Sequence, residues 1–305
     1  MTDYHIPVLR NESIKSLDIR DNGIYVDLTF GGGGHSKAIL EKLGKKGKLI
    51  AFDQDKDAIA NIPDDNRILF IHCNFRYMRG ALRAHGFSQV NGILADLGVS
   101  SHHFDASERG FSFRFDTPLD MRMNQKASFS AMEVIGNYNH QELLRIFKDY
   151  GELQMPHKIA SCIEQAREKQ PITTTGELLE AVKPCAPKRD ESKFYAKLFQ
   201  AIRIEVNHEM ESLKMMLEQS KRMLAENGRL AIITYHSLED RLVKNFLKTG
   251  NFEGKAEQDF FGNIKSPFRL VNNKVIVPSG EEIERNPRSR SAKLRIAELN
   301  NEHKV

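Results

Sequence analysis

The sequence predicts an α/β protein, a mainly parallel sheet whose chain is interrupted by an all-helical block. Three observations carry this expectation. Apolar strand-like runs alternate with helical patterns through the first hundred residues; the alternation stops between about Phe104 and Val206; and a strand-like run returns at 230–233. The sheet domain is therefore expected to be discontinuous, 1–105 and 207–305, with 106–206 as an inserted helical domain for substrate recognition.

Strands are expected at 24–26, 49–52, 68–71 and 93–95, short apolar runs suited to burial on both faces of a parallel sheet. Between them 36–43, 57–60 and 77–85 read as helices. In the block, 131–135, 141–149, 157–169, 175–182 and 194–208 carry apolar residues at helical spacing. Thr173-Thr174-Thr175-Gly176-Glu177 reads as a helix start, with hydroxyls to cap free amides and an acid near the positive end. The helical pattern then runs to Leu224, where Glu226-Asn227-Gly228 supplies a stop before strand 230–233. The last two strands are expected at 274–277 and 294–297.

The most specific local feature is Asp27-Leu-Thr-Phe-Gly31-Gly32-Gly33-Gly34-His35-Ser36, between the first strand and the first helix of the alternation. Glycine permits positive φ and leaves no Cβ between peptide and ligand, so the run reads as a cradle for a nucleotide-like cofactor. A dinucleotide fingerprint requires a third glycine where this chain has Ser36, which argues against NAD and an oxidoreductase. Asp53, with Asp55 as a near alternative, ends the second strand where a carboxylate accepts hydrogen bonds from ribose hydroxyls. Phe75, after the third strand, is placed either to flank an adenine or to pack in the core. Asp96 ends the fourth strand, where the crevice rule for open sheets puts the reactive end of a cofactor; capping a helix is its plainer role.

Composition narrows the classes further. The 305 residues are 40% hydrophobic and 28% charged, an ordinary globular balance, and the longest apolar runs are too short to span a bilayer. Cys73, Cys162 and Cys185 stand far apart without a Cys-x-x-Cys pair, so neither a metal site nor a disulfide framework is expected. No basic flank and apolar stretch opens the chain, and a cytoplasmic protein is the expectation. The formal net charge is only +4, yet Arg285, Arg288, Arg290, Lys293 and Arg295 follow one another without an acid, which suits a polyanion.

Asp96-Leu-Gly-Val-Ser-Ser, then Asp105, Arg109-Gly-Phe-Ser-Phe113 and Pro118-Leu-Asp-Met-Arg-Met123, closely resemble the MraW (RsmH) family of ribosomal RNA methyltransferases. The likeness extends through His5-Ile-Pro-Val-Leu9, Tyr150-Gly-Glu152, Arg203-Ile-Glu-Val-Asn207, Tyr235-His-Ser-Leu-Glu-Asp-Arg241 and Asn286 to Arg295. It implies a Rossmann-like class I methyltransferase sheet with an inserted helical domain. The implied reaction moves methyl from S-adenosylmethionine to the exocyclic N4 of one cytidine in the decoding region of 16S ribosomal RNA, within the small subunit. By resemblance the cofactor contacts are Gly33, Gly34, His35, Asp53, Phe75, Asp96 and His103; the family usually has Pro-Gln where this chain has His102-His103. A homodimer and a non-catalytic assembly factor that keeps the fold remain as alternatives in assembly and in function.

Cytosine N4 is a weak nucleophile because its lone pair is delocalised, so an acceptor for the amino protons is required. Asp96 is the expected acceptor, with the carbonyls of Leu97 or Gly98 and the imidazole of His236 as alternatives. The base must leave its stack and rest on an aromatic face, for which Tyr235, Phe111 and Phe113 are candidates. Phe111 and Phe113 could equally anchor the insertion. Arg288, Arg290, Lys293 and Arg295, with Arg114, Arg122, Lys188 and Arg189, are expected to meet RNA phosphates.

Overall fold

The computed structural model describes residues 7–99, 106–272 and 274–300. The chain divides into two compact units, one formed by Met1–Gly98 with Met210–Val305 and the other by Val99–Glu209. His102 and His103 lie outside the described residues.

The first unit opens with α1 (Arg10–Ser16), β1 (Ile24–Asp27), α2 (Gly34–Leu40) and β2 (Lys48–Asp53). A 3-10 turn (Lys56–Asn61), β3 (Ile68–His72), α3 (Met78–Ala84) and β4 (Val90–Asp96) follow. The expected helix at 57–60 is thus a 3-10 turn, capped by Asp55, whose carboxylate accepts from the Asp57 amide. β1, β2 and β4 bury nearly every side chain because the sheet is covered on both faces, which is why they read as continuous apolar runs. Gly92 is a packing requirement in β4: a Cβ there would stand 2.8 Å from the Tyr25 ring.

The second unit is helical: α4 (Ala131–Asn137), α5 (His140–Asp149), α6 (Pro156–Arg167), α7 (Thr175–Val182) and α8 (Glu191–Asn207). Its core joins Leu143, Ile146 and Phe147 of α5 to Ile159 and Ile163 of α6 and to Leu198 and Ile202 of α8. Three of the helix starts are capping boxes, Ser130 with Glu133, Asn139 with Glu142, and Thr174 with Glu177, each satisfying free amides at both ends of the first turn. Glu205 of α8 accepts from Tyr138 at 2.6 Å and from Arg145 at 2.5 Å, tying three segments together.

α9 (Glu209–Met223) leads directly into β5 (Leu224–Thr234), followed by α10 (Ser237–Thr249), β6 (Phe268–Leu270), α11 (Gly280–Arg285) and β7 (Lys293–Leu299). The expected stop at Glu226-Asn227-Gly228 is a bulge inside β5. Leu224 already pairs with Val90, the register shifts before Arg229 meets Gly92, and Asn227 takes a left-handed φ of 58°. The strand expected at 274–277 reduces to one bridge, Ile276 with Leu294, just ahead of Pro278; Phe268–Leu270 takes the neighbouring stretch of the β7 edge.

The seven strands run in the order β3-β2-β1-β4-β5-β7-β6, parallel except for β7, which is antiparallel to both its neighbours. The order reverses between β1 and β4. A ligand crevice is expected at the carboxyl ends of these two strands. Among the described residues no helix is long and apolar enough to cross a membrane.

Candidate active site

The crevice is built on Asp27, fully buried at the end of β1. One carboxylate oxygen accepts from the Thr29 amide at 3.1 Å, and the other accepts from the Ser36 hydroxyl at 2.7 Å. Burial pushes the Asp27 pKa up, against the opposing pull of His35 and the Ser36 hydroxyl. Ser36 therefore ties the first turn of α2 back to β1. The Thr29 hydroxyl in turn accepts from the Asp96 amide at 2.7 Å, which joins the β1 loop to the end of β4.

Between Asp27 and Ser36 the chain makes its glycine turn. Gly31 and Gly33 have φ of 49° and 74°, and the Gly33 amide donates to the Phe30 carbonyl at 2.7 Å. A Cβ on Gly33 would lie 2.8 Å from the Phe30 ring, whereas a Cβ on Gly31 would meet no atom within 4 Å. The Gly31 amide donates to Asp53 at 2.7 Å, and the second Asp53 oxygen accepts from the Asp55 amide at 2.8 Å. Asp53, at the end of β2, is thereby held beside the turn; Asp55 serves as the cap of the 3-10 turn. Phe75 lies half-buried after β3, next to Asn74, whose amide donates to Gln54 at 2.7 Å.

At the end of β4, Asp96 accepts from the Tyr235 hydroxyl at 2.8 Å, and its other oxygen lies 3.6 Å from Nε2 of His35. His35, in the first turn of α2, is 5% exposed, and neither of its ring nitrogens has a hydrogen-bond partner among the described residues. Burial, reinforced by the Asp96 charge, pushes the Tyr235 pKa well above that of a free phenol, so the hydroxyl remains a donor.

Gly33, Gly34, His35, Asp53, Phe75 and Asp96 are thus gathered at the carboxyl ends of β1 to β4. The expectations for Tyr235, for His236 and for Phe111 and Phe113 as stacking platforms need correction, while the anchoring role of the two phenylalanines agrees with their packing. Tyr235 does not offer its ring as an open platform, because its hydroxyl is bonded to Asp96 and its ring packs against the core of the first unit. His236 caps α10: Nδ1 accepts from the Glu239 amide at 3.4 Å, and Nε2 lies 3.1 Å from the Glu239 carboxylate. Phe111 is 4% exposed in the helical core, and Phe113 packs against Tyr195 and Phe199. Neither can stack on a base without leaving its own packing.

Among the cations, Lys293 and Arg295 are held by Asp240 at 3.1 and 2.7 Å, and Arg122 is held by Asp120 at 2.7 Å. Arg288 and Arg290, on the 3-10 turn Pro287–Ser291, and Arg114, Lys188 and Arg189 are exposed. Two parts of the crevice were missed in the sequence, the Asp27–Ser36 tie and the Tyr235–Asp96 bond. An acid directly before a glycine loop was the only visible sign of the first.

With Ser36 in place of the third glycine the turn is no dinucleotide fingerprint, and acids close both β2 and β4 beside the switch point of an open, Rossmann-like sheet, the fold class of the class I methyltransferases that use S-adenosylmethionine. The residues fit that donor. A buried imidazole whose nitrogens make no hydrogen bond among the described residues stands at the crevice 3.6 Å from Asp96, and the Gly31 wall is open where a side chain would fill it. A sequence model of the MraW methylase family matches residues 2–300, and the chain belongs to that family. It is 62% identical over 296 residues to "Ribosomal RNA small subunit methyltransferase H" of Parabacteroides distasonis, covering 97% of each chain. A protein of the same description from Bacteroides thetaiotaomicron is 60% identical over 295 residues, again covering 97% of each. The Flavobacterium johnsoniae counterpart is 55% identical over 296 residues, covering 97% of this chain and 98% of its own.

Proposed function

We propose that the protein transfers the methyl group of S-adenosylmethionine to the exocyclic N4 of a cytidine in the decoding region of 16S ribosomal RNA, acting in the cytoplasm on the small subunit. The observation that carries the chemistry is the fixed carboxylate of Asp96 at the end of β4, beside the switch point of the sheet. The names of the relatives support ribosomal RNA as the substrate.

Bound S-adenosylmethionine supplies a methyl group on a positive sulfur, a good leaving group, so the protein contributes mainly orientation and electrostatics. Gly33, Gly34 and His35 would hold the donor, Asp53 would accept from its ribose hydroxyls, and Phe75 would flank its adenine. Asp96 accepts a hydrogen bond from the target amino group, favours a pyramidal nitrogen as the new bond forms, and takes up the proton that must leave. Tyr235 and Thr29 fix this acceptor, one through the carboxylate and one through the backbone. The helical unit reads the RNA, with Arg114, Lys188 and Arg189 of that unit and Arg288 and Arg290 of the other meeting phosphates.

Small subunits from cells lacking the protein, treated with it and S-adenosylmethionine, should gain one methyl group on one cytidine in mass-spectrometric digests. Asp96→Asn should lower kcat by about 10²- to 10⁴-fold, the usual contribution of a positioned acid–base group. A methyl found on carbon 5 or on a ribose, or full activity of the variant, would overturn the reading.

A further inference from the structure

Phe260 and Phe261 are 98% and 86% exposed, yet they stand on a well-built hairpin. Gln258 bridges Ile264, and the Lys265 amide donates to the Glu257 carbonyl at 2.8 Å. At the tip, the Asp259 carboxylate accepts from the Phe261 and Asn263 amides, each at 2.9 Å, and Gly262 supplies a φ of 84°. The two rings stand at 90° with centroids 5.9 Å apart, so they present faces in different directions. Exposing two phenylalanines costs hydrophobic stabilisation, and the tip is ordered by polar bonds that do nothing to cover them.

At the base of the hairpin the Ser266 hydroxyl donates to the Leu247 carbonyl of α10 at 3.2 Å, and Leu247 also lines a groove of about 260 Å³ between α10 and β6, with Lys244, Lys248, Leu270, Lys274 and Val275 among others. Lys244, Lys248 and Lys274 are exposed, and among the described residues none has a carboxylate partner. Residues 244–274 contain six Lys or Arg against three acids, one of which, Asp259, is spent on the hairpin tip.

The groove is remote from the crevice. β6 lies three strands from β4, and Leu270 is level with Ala297 and Leu230, three residues below the Ile233 that pairs with Asp96. At about 4.8 Å per strand and 3.3 Å per residue, the separation exceeds about 15 Å.

We infer that the 257–265 hairpin and the lysine groove beside it form a second RNA-docking surface, where Phe260 or Phe261 stacks on an unpaired nucleobase and Lys244, Lys248 and Lys274 neutralise adjacent phosphates. The inference rests on the reading that small-subunit ribosomal RNA is the substrate. Stacking on an aromatic face accepts any base, and uncompensated lysines supply the complementary charge. A symmetric contact between two copies would bring these lysine clusters together, and two rings are too few for the apolar core of a stable dimer. The surface holds RNA at a distance from the methylated base and therefore sets affinity for the assembled substrate rather than the chemical step.

The test places p-benzoylphenylalanine at position 260 and irradiates the full-length protein with small subunits. In parallel, the Phe260→Ala/Phe261→Ala and Lys244→Glu/Lys248→Glu variants are assayed for methyl transfer and for S-adenosylmethionine binding by calorimetry. The expected result is a crosslink to ribosomal RNA away from the methylated cytidine, KM for subunits raised about tenfold, kcat within about twofold, and unchanged donor affinity. Crosslinks confined to a ribosomal protein or a second copy, ring-dependent binding to anionic vesicles without an RNA crosslink, or an unchanged KM would overturn the inference. If the p-benzoylphenylalanine protein crosslinks to the RNA but the wild-type protein transfers no methyl, the proposed function fails and the docking surface stands.

Discussion

The hydroxyl of Tyr235 donates to the carboxylate of Asp96 at 2.8 Å, linking residues 139 positions apart at the ends of adjacent strands β5 and β4. The phenol is kept protonated by its burial and by the neighbouring carboxylate. It orients the acceptor without competing for its proton. Tyr235→Phe removes one hydrogen bond to a charged group, worth about 1.5–3 kcal/mol, and should lower kcat by about 10- to 100-fold. Donor affinity should change less, because the Thr29 hydroxyl still holds the Asp96 backbone. Single-turnover methylation with parallel calorimetry checks this; an effect on donor binding alone would contradict it.

Gly31 and Gly33 separate the two uses of the glycine turn. At Gly33 a Cβ collides with Phe30 and the backbone is left-handed, so Gly33→Ala should lower stability by about 1–3 kcal/mol and weaken the donor as a consequence. At Gly31 the Cβ enters open space. Gly31→Ala should cost only about 1–2 kcal/mol of strain yet weaken donor binding at least tenfold. Thermal unfolding without donor, together with calorimetric titration, distinguishes the two variants; equal donor affinity in Gly31→Ala and wild type would remove the turn from the site.

What the sequence disclosed follows the range of the interactions. β1, β2 and β4 were legible because strands buried on both faces show as apolar runs, and the start of α7 was legible because Thr174 and Glu177 carry a local capping box. The same motif at His236 and Glu239 was hidden, because histidine is not among the usual caps and a histidine at a strand end suggests chemistry. Tyr235 and Asp96 were both noticed, but a bond across 139 residues leaves no local pattern. The 274–277 strand failed because its pairing with β7 stops at the single Ile276–Leu294 bridge just before Pro278, whereas three residues of mixed polarity, Phe268–Leu270, form the ladder farther along β7.

Asp27 gives the fold a pH dependence opposite to that of most paired carboxylates. Its folded pKa lies above the unfolded value, so the native state binds the extra proton, and the contribution to stability is fully present below the unfolded value of about 4. It is lost as pH rises through the folded pKa. Asp27→Asn keeps an acceptor for the Thr29 amide and turns the other position into an NH2 that can donate to the Ser36 oxygen, without a charge to bury. Chemical denaturation from pH 4 to 7 should show the variant gaining on wild type as pH rises. A difference that is constant with pH, or grows on acidification, would contradict the elevated pKa.

The basic segment near the carboxyl end should divide into two functional pairs. Lys293 and Arg295 neutralise Asp240, and their bonds outweigh the desolvation of its carboxyl, so the Asp240 pKa is held below its usual value. That stabilisation is present above about pH 4 and fades as pH falls through the depressed pKa, so Arg295→Ala should lower the unfolding temperature at pH 7 and matter little near pH 2. Arg288 and Arg290 are exposed on the 3-10 turn, where the proposed function has them meet RNA phosphates. Each phosphate contact contributes about one unit to the slope of log affinity against log salt. Arg288→Ala/Arg290→Ala should therefore flatten that slope by about two for small subunits. Arg295→Ala should lower the unfolding temperature and leave the slope unchanged, and filter-binding at several salt concentrations together with calorimetric melting reads both; equal slopes in the wild type and the Arg288/Arg290 variant would take these arginines out of the RNA interface.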